Sequence, residues 1–86
     1  MKEFRYTIND KNGIHARPAG LIVQCAKGYR AVQTLRLGGK SADCKKLFSL
    51  MQLGVKYGDE ILVTADGEDE EDACAELEKT FRSAGL

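Results

Sequence analysis

From Asp69 to Ser83 the large apolar residues fall on one helical face, with Ala73, Leu77, Phe81 and then Ala84 spaced four, four and three apart. That spacing predicts an amphipathic helix. Asp69, Glu70, Glu71 and Asp72 in its first turn, and Lys79 and Arg82 near its end, complement the helix dipole, and Gly85 supplies a stop. A helix with a single apolar stripe must bury it against a second layer. Short alternating segments supply that layer. Phe4 to Ile8 reads as a half-buried strand, and Ile61, Val63 and Ala65 alternate in another. Ala31 to Leu37 reads as a third, although Val32 and Leu35 do not keep a clean alternation. Gly38-Gly39 then makes a hairpin turn into a short strand from Lys40 to Asp43.

Two further helices fall between these strands. Ala16 to Lys27 places Ala19, Ile22, Val23 and Ala26 inward, with Gly28 to end it. Lys46 to Leu53 carries Leu47, Leu50 and Met51 at i, i+3 and i+4, with Gly54 as the stop. Asn9 to Gly13 and Tyr57-Gly58-Asp59 are turn chemistry. The order β-α-β-β-α-β-α predicts an α+β fold: a four-stranded, mainly antiparallel sheet with three helices on one face and solvent on the other.

Eighty-six residues make one domain, 1–86, with one modest core. Thirteen basic and thirteen acidic residues cancel, so no basic stripe marks a nucleic-acid binder. A chain this short suits a job done at one surface on another protein. No apolar run approaches a membrane span, and Met1-Lys2-Glu3-Phe4-Arg5 lacks the apolar core of a signal peptide, so a cytoplasmic protein without membrane insertion is expected. Cys25, Cys44 and Cys74 show no metal-type spacing and no CxxC, and are expected to be reduced thiols, two of them packed on helices as small hydrophobes.

The chemistry concentrates in Gly13-Ile14-His15-Ala16-Arg17-Pro18-Ala19. Pro18, the only proline, sits where a helix begins, where its missing N–H costs nothing. His15, the only histidine, therefore lies at or just before a helix cap. The free N–H groups of a helix start form a ready phosphate site, here in the segment Ala16, Arg17 and Pro18, and the Arg17 fork can grip phosphate oxygens. A neutral imidazole is a competent nucleophile, and phosphoryl transfer asks little beyond positioning and charge stabilisation. Position alone leaves a second reading open, in which His15 is an ordinary surface or capping residue and Arg17 is solvated. No second histidine and no Cys or Asp pair stands at ligand spacing, which disfavours a metal.

This heptapeptide resembles the active-site signature of the HPr family, the histidine-containing phosphocarriers of the bacterial phosphoenolpyruvate-dependent sugar phosphotransferase system. Lys40-Ser41, the helix with Met51 and Leu53-Gly54, and Gly67-Glu68-Asp69-Glu70 also fall where that family has similar residues. The resemblance implies an open-faced β-sandwich and a carrier with no turnover of its own and no cofactor beyond a transient phosphoryl group. Enzyme I would move a phosphoryl group from phosphoenolpyruvate to Nδ1 of His15, assisted by Arg17, for delivery to IIA domains of sugar transporters. Asn12 would support the loop or simply serve the turn, and a monomer is the default.

One departure concerns regulation. In many relatives the second helix begins at a serine phosphorylated by a dedicated kinase; here that position is Lys46, preceded by Lys45. The chain is thus expected to be blind to that switch, with Ser49 a poor substitute. Lys45 and Lys46 read either as a solvated helix start or as an attraction for acidic partners. If Leu47, Leu50 and Met51 face inward, Phe48 points outward and is a candidate docking anchor. Leu47, Phe48, Met51, Lys45 and Lys46 form the expected docking set. The competing readings are a non-carrier regulatory module of the same family, expected to lose the histidine, and a carrier in a nitrogen-related chain. A ferredoxin-like metal chaperone would want a CxxC on its first loop, and none is present.

Overall fold

The computed structural model describes residues 1–86. Its elements are β1 (Lys2–Thr7), α1 (Ala16–Ala26), β2 (Val32–Leu37), β3 (Lys40–Asp43), α2 (Leu47–Gln52), β4 (Glu60–Asp66) and α3 (Glu70–Ser83), the order that the periodicities predict. The strands form one sheet in the order β1-β4-β2-β3, with every neighbouring pair antiparallel. Two rows across the sheet show how the alternation sorts its faces. Phe4, Val63, Leu35 and Ala42 align in register and are all buried. The adjacent row, Arg5, Leu62, Arg36 and Ser41, lies on the opposite face, where Arg5, Arg36 and Ser41 are exposed and Leu62 is half-buried. All three helices pack on the first row's side.

The irregular alternation of β2 has a specific cause. Gln33, not an apolar residue, points inward and is fully buried, while Val32 is exposed. The Gln33 amide nitrogen donates to the carbonyls of Ala26 at 2.9 Å and Ala31 at 3.1 Å. It thereby ties the end of α1 to the start of β2. Gly28, expected to end α1, lies directly beyond its cap residue Lys27, without the positive φ of the other terminal glycines. Gly54 and Gly85 do take positive φ where a helix stop was expected, and Gly38 does so in the expected hairpin turn.

α3 buries Ala73, Cys74, Leu77 and Phe81, with Ala84 partly buried beyond its end. Phe81 is the hub of this layer, meeting the rings of Phe4 and Tyr6 edge-on at 5.6 and 5.4 Å. Asp69, read as a helix-dipole partner, turns its carboxylate away from its own helix. It accepts the N–H groups of Arg30 at 2.7 Å and Ala31 at 2.8 Å and so fastens the α1–β2 connection to α3. Glu70 reaches back to the N–H of Gly67 at 3.1 Å, a capping contact.

The three cysteines are free thiols. Cys25 on α1 and Cys74 on α3 are the two expected on helices, Cys74 in the core and Cys25 packed against it, while Cys44 is buried in the turn before α2. Burial pushes the Cys44 thiol up to about 12, with the Asp43 charge adding to the effect, so almost no thiolate forms there at neutral pH. In α2 the inward face is narrower than its spacing suggests. Leu50 is buried and Leu47 partly buried, but Met51 is 38% exposed. Six residues give fewer than two turns, so only one position can reach the core squarely.

Candidate functional site

A short turn delivers the chain to His15. The N–H of Gly13 donates to the carbonyl of Asp10 at 2.9 Å, and the Asp10 Oδ1 accepts the N–H of Asn12 at 2.8 Å. This is the local side-chain bond that makes aspartate a turn residue. Asn12 takes part through its backbone, and its side chain is exposed. Gly13 has φ +65°, and a Cβ there would lie 2.1 Å from the carbonyl oxygen of Val55. Only glycine fits so close an approach. Ile14 is buried, and its N–H donates to that same carbonyl at 3.2 Å. The residue before His15 is therefore pinned to the segment between α2 and β4.

His15 is the N-cap of α1, with φ −102° and ψ −173° and no side-chain bond to the helix. Its carbonyl accepts the N–H of Ala19 at 3.0 Å, the first bond of the helix. The N–H groups of Ala16 and Arg17 have no backbone acceptor, and both residues are exposed. Pro18, in the third helical position, has no N–H to offer and is buried. It shapes the helix start by its fixed φ and cannot itself donate to an anion. Two free donors remain, at the positive end of an 11-residue helix.

The imidazole of His15 is 41% exposed and has a side-chain partner. Its Nε2 lies 3.4 Å from Oδ2 of Asp10. The Asn12 N–H, and then His15, hold the Asp10 carboxyl below its ordinary value against partial desolvation. Asp10, His15, Arg17, Leu21 and Ser83 line a hollow of about 200 Å³ at the junction of the loop, α1 and the end of α3. Arg17 pairs with no carboxylate, so its guanidinium is available to an anion. No group of three or more His, Cys, Asp or Glu is placed to hold a metal ion.

The docking set lies on the neighbouring α2, which packs beside α1. Phe48 is 75% exposed, Lys46 is exposed, Lys45 is half-buried, and Leu47 is partly in the core. Met51, expected inward and also assigned to docking, stands at the surface. Leu21 on α1 is exposed as well and was not anticipated, since it reads as a single apolar residue outside the helix's main stripe. In the sequence Asp10 reads as ordinary turn composition. Its spacing of two from Asn12 signals the turn, but no periodicity relates a loop carboxylate to a histidine five residues on.

A family model described as the PTS HPr component phosphorylation site matches residues 2–83. The chain belongs to this family. Among solved structures, the histidine-containing phosphocarrier protein of Mycoplasma superposes with a TM-score of 0.97 at 30% identity, over 99% of this chain and 97% of that one. The phosphocarrier protein HPr of Bacillus anthracis gives a TM-score of 0.83 at 33% identity, over 92% and 94% of the two chains. The catabolite-repression protein Crh of Bacillus subtilis, a swapped dimer in its crystal, gives 0.77 at 34% identity over 100% and 99%. The HPr family and fold support a phosphocarrier role in the bacterial phosphotransferase system, whose general role is sugar transport. The four-stranded open sheet with three helices is the HPr fold. No helix of the chain is long and apolar enough to cross a membrane.

Proposed function

We propose that this chain is a cytoplasmic phosphoryl carrier, a single domain over residues 1–86, in which enzyme I phosphorylates His15 at Nδ1 and IIA domains of sugar transporters take the group on. The observation that carries this reading is the placement of an exposed imidazole as the N-cap of α1, beside two unpartnered N–H groups and an unpaired guanidinium. Nδ1 attacks the phosphorus of the donor and the bond to the donor breaks. The N–H groups of Ala16 and Arg17 and the Arg17 side chain face the phosphoryl oxygens and offset their charge. Partial solvation keeps the adduct transferable, because the same donors serve it on arrival and on departure. The protein is a substrate of its partners and has no turnover of its own.

Phe48, with Leu47, Met51, Lys45 and Lys46, forms the docking face of this reading, an apolar anchor with positive charge beside it. A carrier that shows one face to successive partners works as a monomer. Lys46, the N-cap of α2, has no hydroxyl to modify and carries positive charge where a serine-phosphorylated relative is negative. The chain is therefore insensitive to that kinase switch. The likeness to Crh supports a second reading, a regulatory module without carrier activity. The co-location of His15 and Arg17 at the start of α1 favours the carrier.

The test is transfer of label from phosphoenolpyruvate through enzyme I to the chain and onward to IIA proteins. Label on the wild type, none on His15→Ala, and a chase onto a sugar IIA are expected. Label that passes only to nitrogen-type acceptors would reassign the pathway, and a wild type that takes none would favour the regulatory module.

A further inference from the structure

Asp10 is the only carboxylate that lines the hollow beside His15. Its two oxygens have different partners: Oδ1 accepts the Asn12 N–H at 2.8 Å, and Oδ2 faces Nε2 of His15 at 3.4 Å. The backbone of Asp10 is fixed from both sides. Its carbonyl accepts the Gly13 N–H at 2.9 Å, and its own N–H donates to the main-chain oxygen of the buried Leu86 at 3.1 Å. The carboxylate is thus aimed by the turn, and its free oxygen points at one ring nitrogen in particular. The other charged group lining the hollow is Arg17, and α3 contributes the neutral Ser83.

Resting on the carrier reading above, we propose that Asp10 is a positioning residue for phosphoryl transfer: it keeps a proton on Nε2 of His15, which leaves the lone pair on Nδ1 and balances the ring's charge once Nδ1 is phosphorylated. In a neutral imidazole one nitrogen carries the proton and the other the lone pair, and the bond made by one sets the state of the other. A carboxylate can only accept, so the nitrogen that it faces is the protonated one. When Nδ1 attacks the phosphoryl donor, an N–P bond forms and the donor's bond to phosphorus breaks, its electron pair staying with the donor. No proton moves. The ring becomes a phosphoimidazolium with its positive charge shared towards Nε2, next to Asp10. On delivery the N–P bond breaks, its electron pair returns to Nδ1, and the leaving group is a neutral imidazole. Without the proton on Nε2 it would be an imidazolate, a far poorer leaving group.

Two variants separate this role from loop building. Asp10→Asn keeps an oxygen for the Asn12 N–H but turns an amide N–H towards the ring. Asp10→Ser keeps a turn-forming hydroxyl and removes the charge. Amide spectra of Gly13 and Ile14 verify that the loop is intact in each. Ring 15N shifts of His15 report the tautomer, and quenched-flow with phosphorylated enzyme I reports transfer in both directions. In the wild type the Nε2–H form is expected to dominate. Asp10→Asn is expected to shift the population towards Nδ1–H, and both variants are expected to slow transfer by about tenfold, the scale of one partly exposed charge-assisted hydrogen bond. Unchanged tautomer populations and rates within about twofold in the folded variants would overturn the proposal, a twofold change being well under 1 kcal/mol of barrier. A wild type that accepts no phosphoryl group would overturn the carrier reading and this role with it, a result distinct from failure of the variants alone.

Discussion

Gly13→Ala tests whether the site depends on the approach of its loop to the α2–β4 segment. A methyl group at this position would lie 2.1 Å from the Val55 carbonyl oxygen and 2.9 Å from the Lys56 Cα, both backbone atoms that no side-chain rotation can move. The left-handed φ of +65° adds its own penalty, about 1–2 kcal/mol for a non-glycine residue. Relief of the clash requires the loop to lift off Val55, which breaks the Ile14 N–H bond to that carbonyl and costs roughly another 1 kcal/mol. Part of the buried Ile14 side chain is then re-exposed, at about 1 kcal/mol. The sum is about 3–4 kcal/mol, which at a urea slope of about 1–2 kcal/mol per molar lowers the unfolding midpoint by about 1.5–4 M. Urea titration followed by circular dichroism measures this, with the rate of phosphorylation by enzyme I as the functional readout. Because His15 follows Ile14 directly, the rate should fall even under conditions where the variant stays folded. A variant within about 0.5 kcal/mol of wild type, the usual range of innocuous surface changes, would refute the argument from close approach.

Three further outcomes follow from the packing. Gln33→Glu is isosteric but replaces a donor with a buried acceptor facing the carbonyls of Ala26 and Ala31, and should cost about 3 kcal/mol or more in chemical denaturation. A loss below about 1 kcal/mol would show that the amide contacts are incidental. Phe81→Ala removes the fully buried ring between Phe4 and Tyr6 and should cost about 3–5 kcal/mol, measured the same way. Asp69 has its carboxyl held below the ordinary value, first by the Arg30 N–H and then by that of Ala31. A depressed folded-state pKa stabilises the fold above the unfolded pKa, and that contribution is lost as pH falls through the folded one. Wild type should therefore be more stable than Asp69→Asn at neutral pH, and the gap should close on acidification below the usual aspartate range. A gap that stays constant with pH would show that the charge at Asp69 plays no part.

The architecture was legible because its driving patterns are local. The stripe Ala73–Leu77–Phe81 and the alternation Ile61–Val63–Ala65 each record one face buried against the other layer, and the glycines at Gly54 and Gly85 mark where helices end. Three features escaped, two of them because they depend on partners distant in sequence and the third because its helix is short. Gln33 is buried because α1 ends above it, which no window around β2 can show. Asp69 has the composition of a helix-dipole residue, yet its carboxylate serves a segment 38 and 39 residues away. Met51 satisfies the helical spacing, but a helix of six residues cannot turn its whole stripe to the core. In the site, His15, Arg17 and Pro18 stood out because a lone proline marks a helix start. Asp10 did not, since the fold of a turn, not its composition, aims the carboxylate at the ring.

The most direct test of the carrier account is intact mass after incubation with phosphoenolpyruvate and an active cognate enzyme I, with His15→Ala treated in parallel. The account predicts a gain of one phosphoryl group on the wild type, lost in acid and retained in base as a phosphoimidazole is, and no gain on the variant. An unchanged wild-type mass, with the same enzyme I charging another carrier, would contradict the account.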